Sequence, residues 1–414
     1  MVGPSLAKLE SSHVNNAMDA LAYEWAPRIR FDAKEPFLPL AVGHTVIQEP
    51  QKSPSSKFQL DPGNGTLIEY AIWWDWDIEH LYELEHVWVY LDADGQLAKV
   101  EASAHGKLRL LADDDITQPL EDGRVTVFSE PGKHAIALRP EWLLKNKNST
   151  TEKCIISAGS GGIHTTNPFG AEAFGQPTAL SHRLAKLYMK RRAFTPSFDF
   201  SKVVDLRDTV LTTWETLEKW IPERIQACIA ELHETVPHLE AICLDSGDTM
   251  VDESTEIKDE NEVVLEADLI PGAADMVRDL AANGYRLALV ADGPRGTFVN
   301  VLGHYQLWDY FEAYAISGDV GIAKPAALMF ETALNALHIA PSDYNRVVMV
   351  GNNLERDIKG ANALGLISIW ISWSKRRSHT PANESEVPDY EIKTPSDLIG
   401  LLERIELSLA ENKA

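Results

Sequence analysis

The sequence predicts a two-domain protein in which an all-β sandwich, a helical connector and an α/β domain with a parallel sheet follow one another. Two patterns indicate this fold class. Short alternating runs separated by turn residues dominate the first part, and apolar runs alternating with amphipathic stretches dominate the last. A length of 414 residues also favours more than one core. The predicted boundaries are 1–175 for the sandwich, 176–236 for the connector and 237–414 for the α/β domain.

Composition and charge narrow the classes of function. The chain has 38 lysine and arginine residues against 62 acidic residues, a net charge of −24. A surface so acidic argues against nucleic-acid binding and against adhesion to anionic membranes. The three cysteines are widely spaced, and neither a signal-peptide core nor a membrane-spanning stretch is evident. We therefore expect a cytoplasmic protein without disulfides and without integral membrane association.

The sandwich is predicted from strand-like runs such as HVWVYLD (86–92), KVEASA (99–104) and RVTVFS (124–129). The turn sequences DADG, EDGR and EPGK separate these runs. From residue 176 the alternation disappears, and apolar residues recur at helical spacing up to residue 236. This change predicts the helical connector.

The last part of the chain alternates between the two element types. Strand candidates are EAICLD (240–245), RLALVAD (286–292), AYAIS (313–317), RVVMVG (346–351) and ISIWIS (367–372). Helix-like stretches lie between them, which predicts a parallel sheet covered on both faces. Ligands bind such sheets at the carboxyl ends of the strands. Asp245, Asp292 and the loop that begins at Gly351 are predicted to lie there.

Four motifs occur in order at these strand ends. They are LDSGDT with Asp245, LALVADG with Ala291, GIAKP with Lys324, and VMVGNNLERD with Asn352 and Asp357. This arrangement resembles the haloacid dehalogenase (HAD) superfamily of hydrolases over roughly residues 238–410. The resemblance implies a Rossmann-like domain. The stretches between the motifs are too short for a cap domain, so we expect a capless site open to large substrates or closed by another domain.

The resemblance also implies roles for individual residues. Asp245 would be the nucleophile that forms an aspartyl-phosphate, and Lys324 would neutralise charge on it. An anionic nucleophile that approaches a phosphoryl group needs a hard cation, so Mg²⁺ is the implied cofactor. Its implied ligands are Asp245, the carbonyl of Gly247, and Asn352 or Asp357. Substrate contacts are expected at the strand end and in two basic loops, namely at Ala291, Asp292, Gly293, Arg295, Lys375, Arg376 and Arg377.

The sequence departs from the family pattern at three positions. Gly247 stands where the second aspartate of such phosphatases usually acts as acid and base, Ala291 replaces a hydroxyl residue, and Asn352 replaces an aspartate. These departures predict a slow or narrow phosphohydrolase for a phosphorylated or otherwise anionic substrate, small or macromolecular. Asp248 is an alternative acid. A dehalogenase-like hydrolase and a HAD domain that no longer catalyses are the alternative interpretations, and the basic loops are alternatively only solvated.

The first domain carries a second concentration of candidate ligands. The stretch WWDWDIEHLYELEHVWVYLD (73–92) is dense in carboxylates and histidines, which are costly in an apolar strand unless paired or metal-bound. It is similar to the necrosis-inducing-protein (NLP) family, whose GHRHDWEHVVVW signature precedes a strand that ends in an SAHS-like sequence. The resemblance implies a divalent metal site at His80, Glu83 and Glu85, with Asp75 or Asp77 upstream and His134 later. Leu84, Glu79 and Glu83 depart from that family's pattern.

These two sites define the functions that the sequence predicts. The leading prediction is the Mg²⁺-dependent phosphohydrolase. The alternative is a metal-dependent module for glycan, lipid or protein binding in the first domain, beside a non-catalytic HAD fold. The substrate and the oligomeric state stay open.

Overall fold

The protein is described by a computed structural model that covers Leu9, residues 16–109, residues 119–163, Phe169 and residues 171–410. The chain forms two compact units. The first comprises Met1–Pro177 and Ser181–Val236, and the second comprises Thr178–Leu180 and Pro237–Ala414. Within the described ranges, every helix is too short or too polar to cross a lipid bilayer.

The first unit is built mainly from strands. Numbered along the chain, they are β1 Arg28–Phe31, β2 Ala41–Ile47, β3 Gln51–Lys52, β4 Gln59–Leu60, β5 Thr66–Trp76, β6 Leu81–Leu91, β7 Leu97–Ala104, β8 Lys107–Arg109, β9 Leu120–Glu121, β10 Arg124–Ser129, β11 Ile136–Ala137, β12 Lys202–Asp205 and β13 Val210–Thr213. The helices of this part of the chain are α1 Ala17–Trp25, α2 Pro140–Lys145, α3 Lys147–Ile155, α4 Ala179–Lys190 and α5 Trp214–Thr235.

Two sheets enclose the core of the first unit. One has the strand order β11-β10-β1-β12 with β9 paired to β10, and the other has the order β13-β2-β5-β6-β7-β8. Alternate residues of β5, from Ile68 to Trp74, belong to the same buried cluster as Ile29 of β1 and Val127 of β10. This alternation is what a strand with one face towards a partner sheet requires. The prediction of a β domain is confirmed as a mostly-β region that contains antiparallel sheets, whereas α1, α2 and α3 depart from the all-β composition that was expected.

Residues 176–236 differ from the purely helical segment that the periodicity predicts. They contain α4 and α5, but also β12 and β13, which pair with β1 and β2. Most of this segment belongs to the first compact unit. The runs KVVD and VLTT are too short to show a strand period, and their pairing depends on strands far away in the sequence.

The second unit has the predicted parallel sheet. Its strands are β14 Ala241–Leu244, β15 Ile257–Lys258, β16 Val264–Glu266, β17 Leu287–Ala291, β18 Ala313–Ile316, β19 Val347–Gly351, β20 Ile367–Ile371 and β21 Tyr390–Ile392. The helices are α6 Ala273–Ala282, α7 Arg295–His304, α8 Ser317–Val320, α9 Ala327–Ala336, α10 Lys359–Leu364 and α11 Leu398–Ser408. The sheet order is β18-β17-β14-β19-β20-β21, and β15 and β16 form a separate antiparallel hairpin.

Both faces of this sheet are covered. Ile242 and Leu244 of β14 pack into one apolar cluster, whereas Ala241 and Cys243 pack into another. A strand buried on both faces reads as a continuous apolar run, which is why AICL predicted it correctly. All the pairings in this sheet are parallel, so the carboxyl ends of its strands lie along one edge.

Candidate active site

The central strands of the parallel sheet bring the predicted motif residues together. β14 lies between β17 and β19, and Asp245, Asp292 and Asn352 directly follow these three strands. All three line a small cleft of about 130 Å³. The sheet topology therefore places residues that are far apart in the sequence around one space, as expected for an open parallel sheet.

Lys324 joins two carboxylates at the floor of this cleft. Its Nζ lies 2.6 Å from Asp245 Oδ1 and 2.7 Å from Asp357 Oδ1. It also donates a hydrogen bond of 2.8 Å to the carbonyl of Val290. Only 5% of Lys324 is exposed, and Asp357 is fully buried. This is a buried ion-paired network at the sheet edge.

The charges of the network are unbalanced. Burial would lower the pKa of Lys324, but Asp245 and Asp357 raise it above its usual range, so the lysine is charged. Burial and the neighbouring Asp245 raise the pKa of Asp357 to about 7, although Lys324 opposes this shift. Two carboxylates thus share one ammonium group, and a further cation would stabilise both in their ionised forms.

The local structure suits a divalent cation. Asp357 lies in a π-helical turn, Leu354–Ile358, a distortion that is frequent at functional sites. A side chain at Gly351 would overlap the Asp357 carboxylate, so glycine permits this close approach. Asn352 Nδ2 is buried and has no hydrogen-bond partner among the described residues, so its amide is free to turn its oxygen towards the cleft. Asp245, Asp357, Asn352 and Gly247 all line the cleft, and carboxylate, amide and backbone oxygens are the ligands that Mg²⁺ prefers.

Asp248 does not line this cleft. Its φ is +51°, and the residue is fully buried. Its carboxylate accepts hydrogen bonds from Arg376 and, at 3.2 Å, from the backbone N–H of Glu253. A carboxylate held by an arginine in this way is a structural acceptor, so Asp248 is not the replacement acid.

A comparison with known protein families agrees with this geometry. A family model described as haloacid dehalogenase-like hydrolase matches residues 171–365. The C-terminal half is a HAD-like hydrolase domain. The capless arrangement agrees with the structure, in which a short 3-10 turn and the β15–β16 hairpin occupy the stretch between the first motif and α6.

Curated relatives of the HAD domain are phosphatases. Glyceraldehyde 3-phosphate phosphatase of Methanopyrus kandleri is 28% identical over 135 residues, which are 33% of this chain and 57% of that protein. The enzyme of the same name from Pyrococcus furiosus is 32% identical over 136 residues, which are 33% of this chain and 55% of that protein. Human N-acylneuraminate-9-phosphatase is 32% identical over 30% of this chain and 48% of its own. The chain thus spans about half the length of the curated relatives that it matches.

Only some of the residues predicted to contact the substrate line the cleft of the HAD domain. Ala291 and Asp292 line it. The Gly293 amide donates to Ser317 Oγ at 2.9 Å, so it is already engaged. Arg295 lies in α7, pairs with Asp319 at 2.7 Å and packs over the rings of Trp308 and Tyr314, 5.8 and 5.7 Å away. These contacts explain why Gly293 and Arg295 are not among the cleft residues.

The three basic residues in the loop after β20 have different surroundings. Lys375 is exposed. Arg376 donates to Asp248 and lies 3.3 Å from Asp252, so it is committed to carboxylates of the same domain. Arg377 lines the cleft and lies 3.5 Å from Glu253. The sequence of three consecutive basic residues does not distinguish these positions, because their partner carboxylates lie far away in the chain, in and just after the first motif.

Two charged residues of the cleft were missed by the sequence reasoning. Arg356 is nearly half exposed, lines the cleft and lies 3.2 Å from Asp292. Glu253 also lines the cleft, and its side chain is about one-third exposed. Burial and the nearby Asp248 raise the pKa of Glu253, while Arg377 lowers it. Both residues lie close to a motif, since Arg356 is within VMVGNNLERD and Glu253 shortly follows LDSGDT, but neither occupies a motif position.

The predicted metal residues of the first unit are divided between several places. His80, Glu83 and Asp77 place ligand atoms within 4.8 Å of one another, and so do Glu83, Glu85 and His105. Asp75 instead pairs with Arg224 at 2.7 Å. His134 is fully buried, stacks on Trp74 with ring centroids 4.8 Å apart and lies 3.4 Å from Glu35. Of the two upstream aspartates expected as alternatives, Asp77 and not Asp75 belongs to the cluster, and His105 belongs to it in place of the expected His134.

This cluster in the first unit is strongly charged. Burial and Glu83 raise the pKa of Glu85 to about 8. Burial would lower the pKa of His105, but Glu130 and Glu83 raise it to about 9. A cavity of about 700 Å³ adjoins the cluster, and Tyr82, His86 and Trp214 are among its lining residues. Lys133 and His105 compensate part of the acidic charge, since Lys133 binds Asp77 and Glu79.

Proposed function

We propose that the HAD domain is a Mg²⁺-dependent phosphohydrolase that acts through an aspartyl-phosphate on Asp245. The observation that carries this proposal is the convergence of Asp245, Lys324 and Asp357 at the edge of the parallel sheet, with distances of 2.6 and 2.7 Å. A domain that had lost catalysis would have no packing reason to keep three buried charges together. The phosphatase relatives support the same reaction class.

Residues of this chain supply most of the first chemical step. One Asp245 carboxylate oxygen attacks the phosphorus while Lys324 holds the other oriented and neutralises its charge. A bound Mg²⁺ would screen the repulsion between carboxylate and phosphoryl oxygens, held by Asp245, Asp357, Asn352 and the Gly247 carbonyl. Arg356 and Arg377 bring positive charge to the cleft mouth and replace part of the phosphate binding that a hydroxyl at position 291 would provide.

The substrate class follows from the cleft and the relatives. The cleft has a volume of about 130 Å³ and mostly charged lining residues. It is large enough for a phosphate group, and the rest of the substrate would lie outside it. The related enzymes are named for the phosphate esters of small metabolites, such as glyceraldehyde 3-phosphate. We therefore propose a phosphorylated small molecule as the substrate. The metal-type residues Asn352 and Asp357 favour this reaction over dehalogenation.

The direct test is the intact mass of the protein after mixing with Mg²⁺ and acetyl phosphate. We expect a phosphate adduct in the wild type that is absent in Asp245→Asn, because the amide that replaces the proposed nucleophilic carboxylate does not attack phosphorus. Asp275→Asn is the matched control, since that side chain is 84% exposed in α6. An adduct that survives in Asp245→Asn would contradict the assigned nucleophile, and no adduct and no turnover across a phosphate panel would contradict the function.

A second candidate function belongs to the first unit. The cluster of Asp77, His80, Glu83, Glu85 and His105 lies beside the cavity of about 700 Å³, which supports a metal-dependent ligand site there. Glu83 belongs to both ligand groups, so it is the residue to change. Calorimetric titration with Mn²⁺ should show one site fewer in Glu83→Gln than in the wild type. The exposed Glu49→Gln is the control, and an unchanged stoichiometry would contradict this site.

A further inference from the structure

The space beside Gly247 is occupied by another acidic side chain. A Cβ built on Gly247 would contact Glu253 Oε1 and would lie 2.9 Å from its Cδ and 3.1 Å from its Cγ. The Glu253 carboxyl group thus fills the volume that a side chain at position 247 would take. Gly247 is also outside the left-handed backbone region, so conformation does not demand a glycine here. The glycine instead makes room for the carboxyl group of Glu253.

Contacts from two sides orient Glu253. It begins the 3-10 turn Glu253–Thr255, and its backbone N–H donates to the buried Asp248 at 3.2 Å. Arg377 lies 3.5 Å from its Oε2. Asp248 is in turn held by Arg376. Asp248 therefore binds the start of the turn, and Glu253 at the start of this turn lines the cleft that contains Asp245.

We propose that Glu253 is the general acid and base of the phosphohydrolase and performs from position 253 the work that a carboxyl group at position 247 would perform. This inference rests on the proposed function, since it assigns a further catalytic residue to the same site. It also resolves the apparent absence of an acid in LDSGDT. The acid is present in the same stretch of chain, but it reaches the cleft through a turn.

The reaction then balances in two steps. In the first, the bond from phosphorus to the leaving oxygen breaks as Asp245 bonds to phosphorus, and Glu253 gives its proton to the departing oxygen, which leaves as an alcohol. In the second, the Glu253 carboxylate takes a proton from water as the water oxygen bonds to phosphorus. The acyl-phosphate bond to Asp245 breaks, inorganic phosphate forms, and both carboxyl groups return to their starting states.

The first test compares leaving groups in Glu253→Gln, which keeps the size of the side chain. General acid catalysis is typically worth about 10²–10⁴-fold, so kcat/KM for glycerol phosphate should fall by that factor. The value for p-nitrophenyl phosphate should fall much less, because its leaving group departs without a proton. Water activation is also lost, so the adduct formed from acetyl phosphate should persist longer by intact mass. Glu256→Gln, which alters a neighbouring carboxylate paired with Lys258, is the control.

The second test moves the carboxyl group back. Glu253→Ala empties the space beside Gly247, and Gly247→Asp fills it with a carboxyl group. The double variant should therefore turn over glycerol phosphate at least tenfold faster than Glu253→Ala alone. Recovery also shows that loss in the single variant is not misfolding. Suppose that the wild type forms the adduct while Glu253→Gln lowers kcat/KM equally for both substrates, or for neither. In that case Glu253 is not the acid, although the proposed function stands. If the wild type forms no adduct and has no turnover, both proposals fail.

Discussion

Single residues in the stretch LDSGDTMVDE illustrate how backbone conformation selects which carboxylate reaches the site. Asp245 follows a strand directly and enters the cleft, whereas Asp248 adopts a φ of +51° and is buried against Arg376. Asp252 is bonded to the turn that follows and to Arg376. Three acidic residues within eight positions thus have different surroundings, and spacing alone does not distinguish them.

Arg376 is expected to contribute stability rather than substrate affinity. Arg376→Ala removes the arginine partner of a fully buried carboxylate. We expect a loss of about 1–3 kcal/mol in the free energy of unfolding, less than for a fully buried pair because Arg376 is partly in water. Urea unfolding of the variant measures this loss. The exposed Lys375→Ala should change stability by less than about 0.5 kcal/mol, and equal effects of the two would contradict the assignment.

Elements of the HAD domain position the site through close packing. The π-helical turn Leu354–Ile358 carries Asp357 and continues directly into α10. A side chain at Gly360 in α10 would overlap the ring of Phe330 in α9 and approach Pro325 Cα to 3.3 Å. Gly360 therefore allows α10 to pack against the segment that follows Lys324, and the charged residues just before these two segments, Lys324 and Asp357, line the cleft.

A pair of glycine substitutions tests this packing. Gly360→Ala should destabilise the HAD domain by about 1–3 kcal/mol, because the methyl group forces Phe330 to move in a filled core. Gly303→Ala in α7 is the matched control, since nothing lies within 4 Å of its added Cβ. That change should stabilise by about 0.5–1 kcal/mol through reduced freedom of the unfolded chain. Thermal unfolding of both variants distinguishes packing from helix propensity, and a stabilised Gly360→Ala would contradict the tight contact.

The whole molecule combines two candidate metal sites, each built within one compact unit. The HAD site uses residues from 245 to 357, and the cluster of the first unit uses residues from 77 to 105. An ion that binds only the folded state stabilises it by about 2.7 kcal/mol at a hundredfold excess over its dissociation constant. Chelation should therefore lower the stability of each unit that holds an ion.

Paired variants separate these two contributions. In the presence of Mn²⁺, Asp245→Asn and Glu83→Gln should each remove one bound ion by elemental analysis, and the double variant should remove two. The two losses should add, because sites with no shared ligands are independent. If the wild type holds one ion and Glu83→Gln still holds it, metal binding is restricted to the HAD domain. Retention of the ion in Asp245→Asn would contradict the magnesium ligands assigned above.

The sequence by itself determined the architecture of the HAD domain and the position of the proposed nucleophile. Continuous apolar runs such as AICL and VVMV identify strands buried on both faces, and the residues after them lie at the carboxyl edge of the sheet because parallel strands share one direction. This argument located Asp245 and the loop that carries Asn352 and Asp357, whereas Lys324 was located by the resemblance to the HAD motifs; all four line one cleft. The similarity of the first unit to the NLP family, the bound metals and the cellular compartment stay predictions.

Tertiary structure alone decided which charged residues act together. Arg376 and Asp248 are 128 positions apart, and β12 pairs with β1 across most of the first unit. Such contacts depend on long-range packing, which a local pattern does not encode. Glu253 depends on the same long-range contact, because its carboxyl group lies beside Gly247 and its backbone N–H is bound by Asp248, which Arg376 holds. A missing side chain in a motif can therefore be replaced in space by one that the motif does not contain.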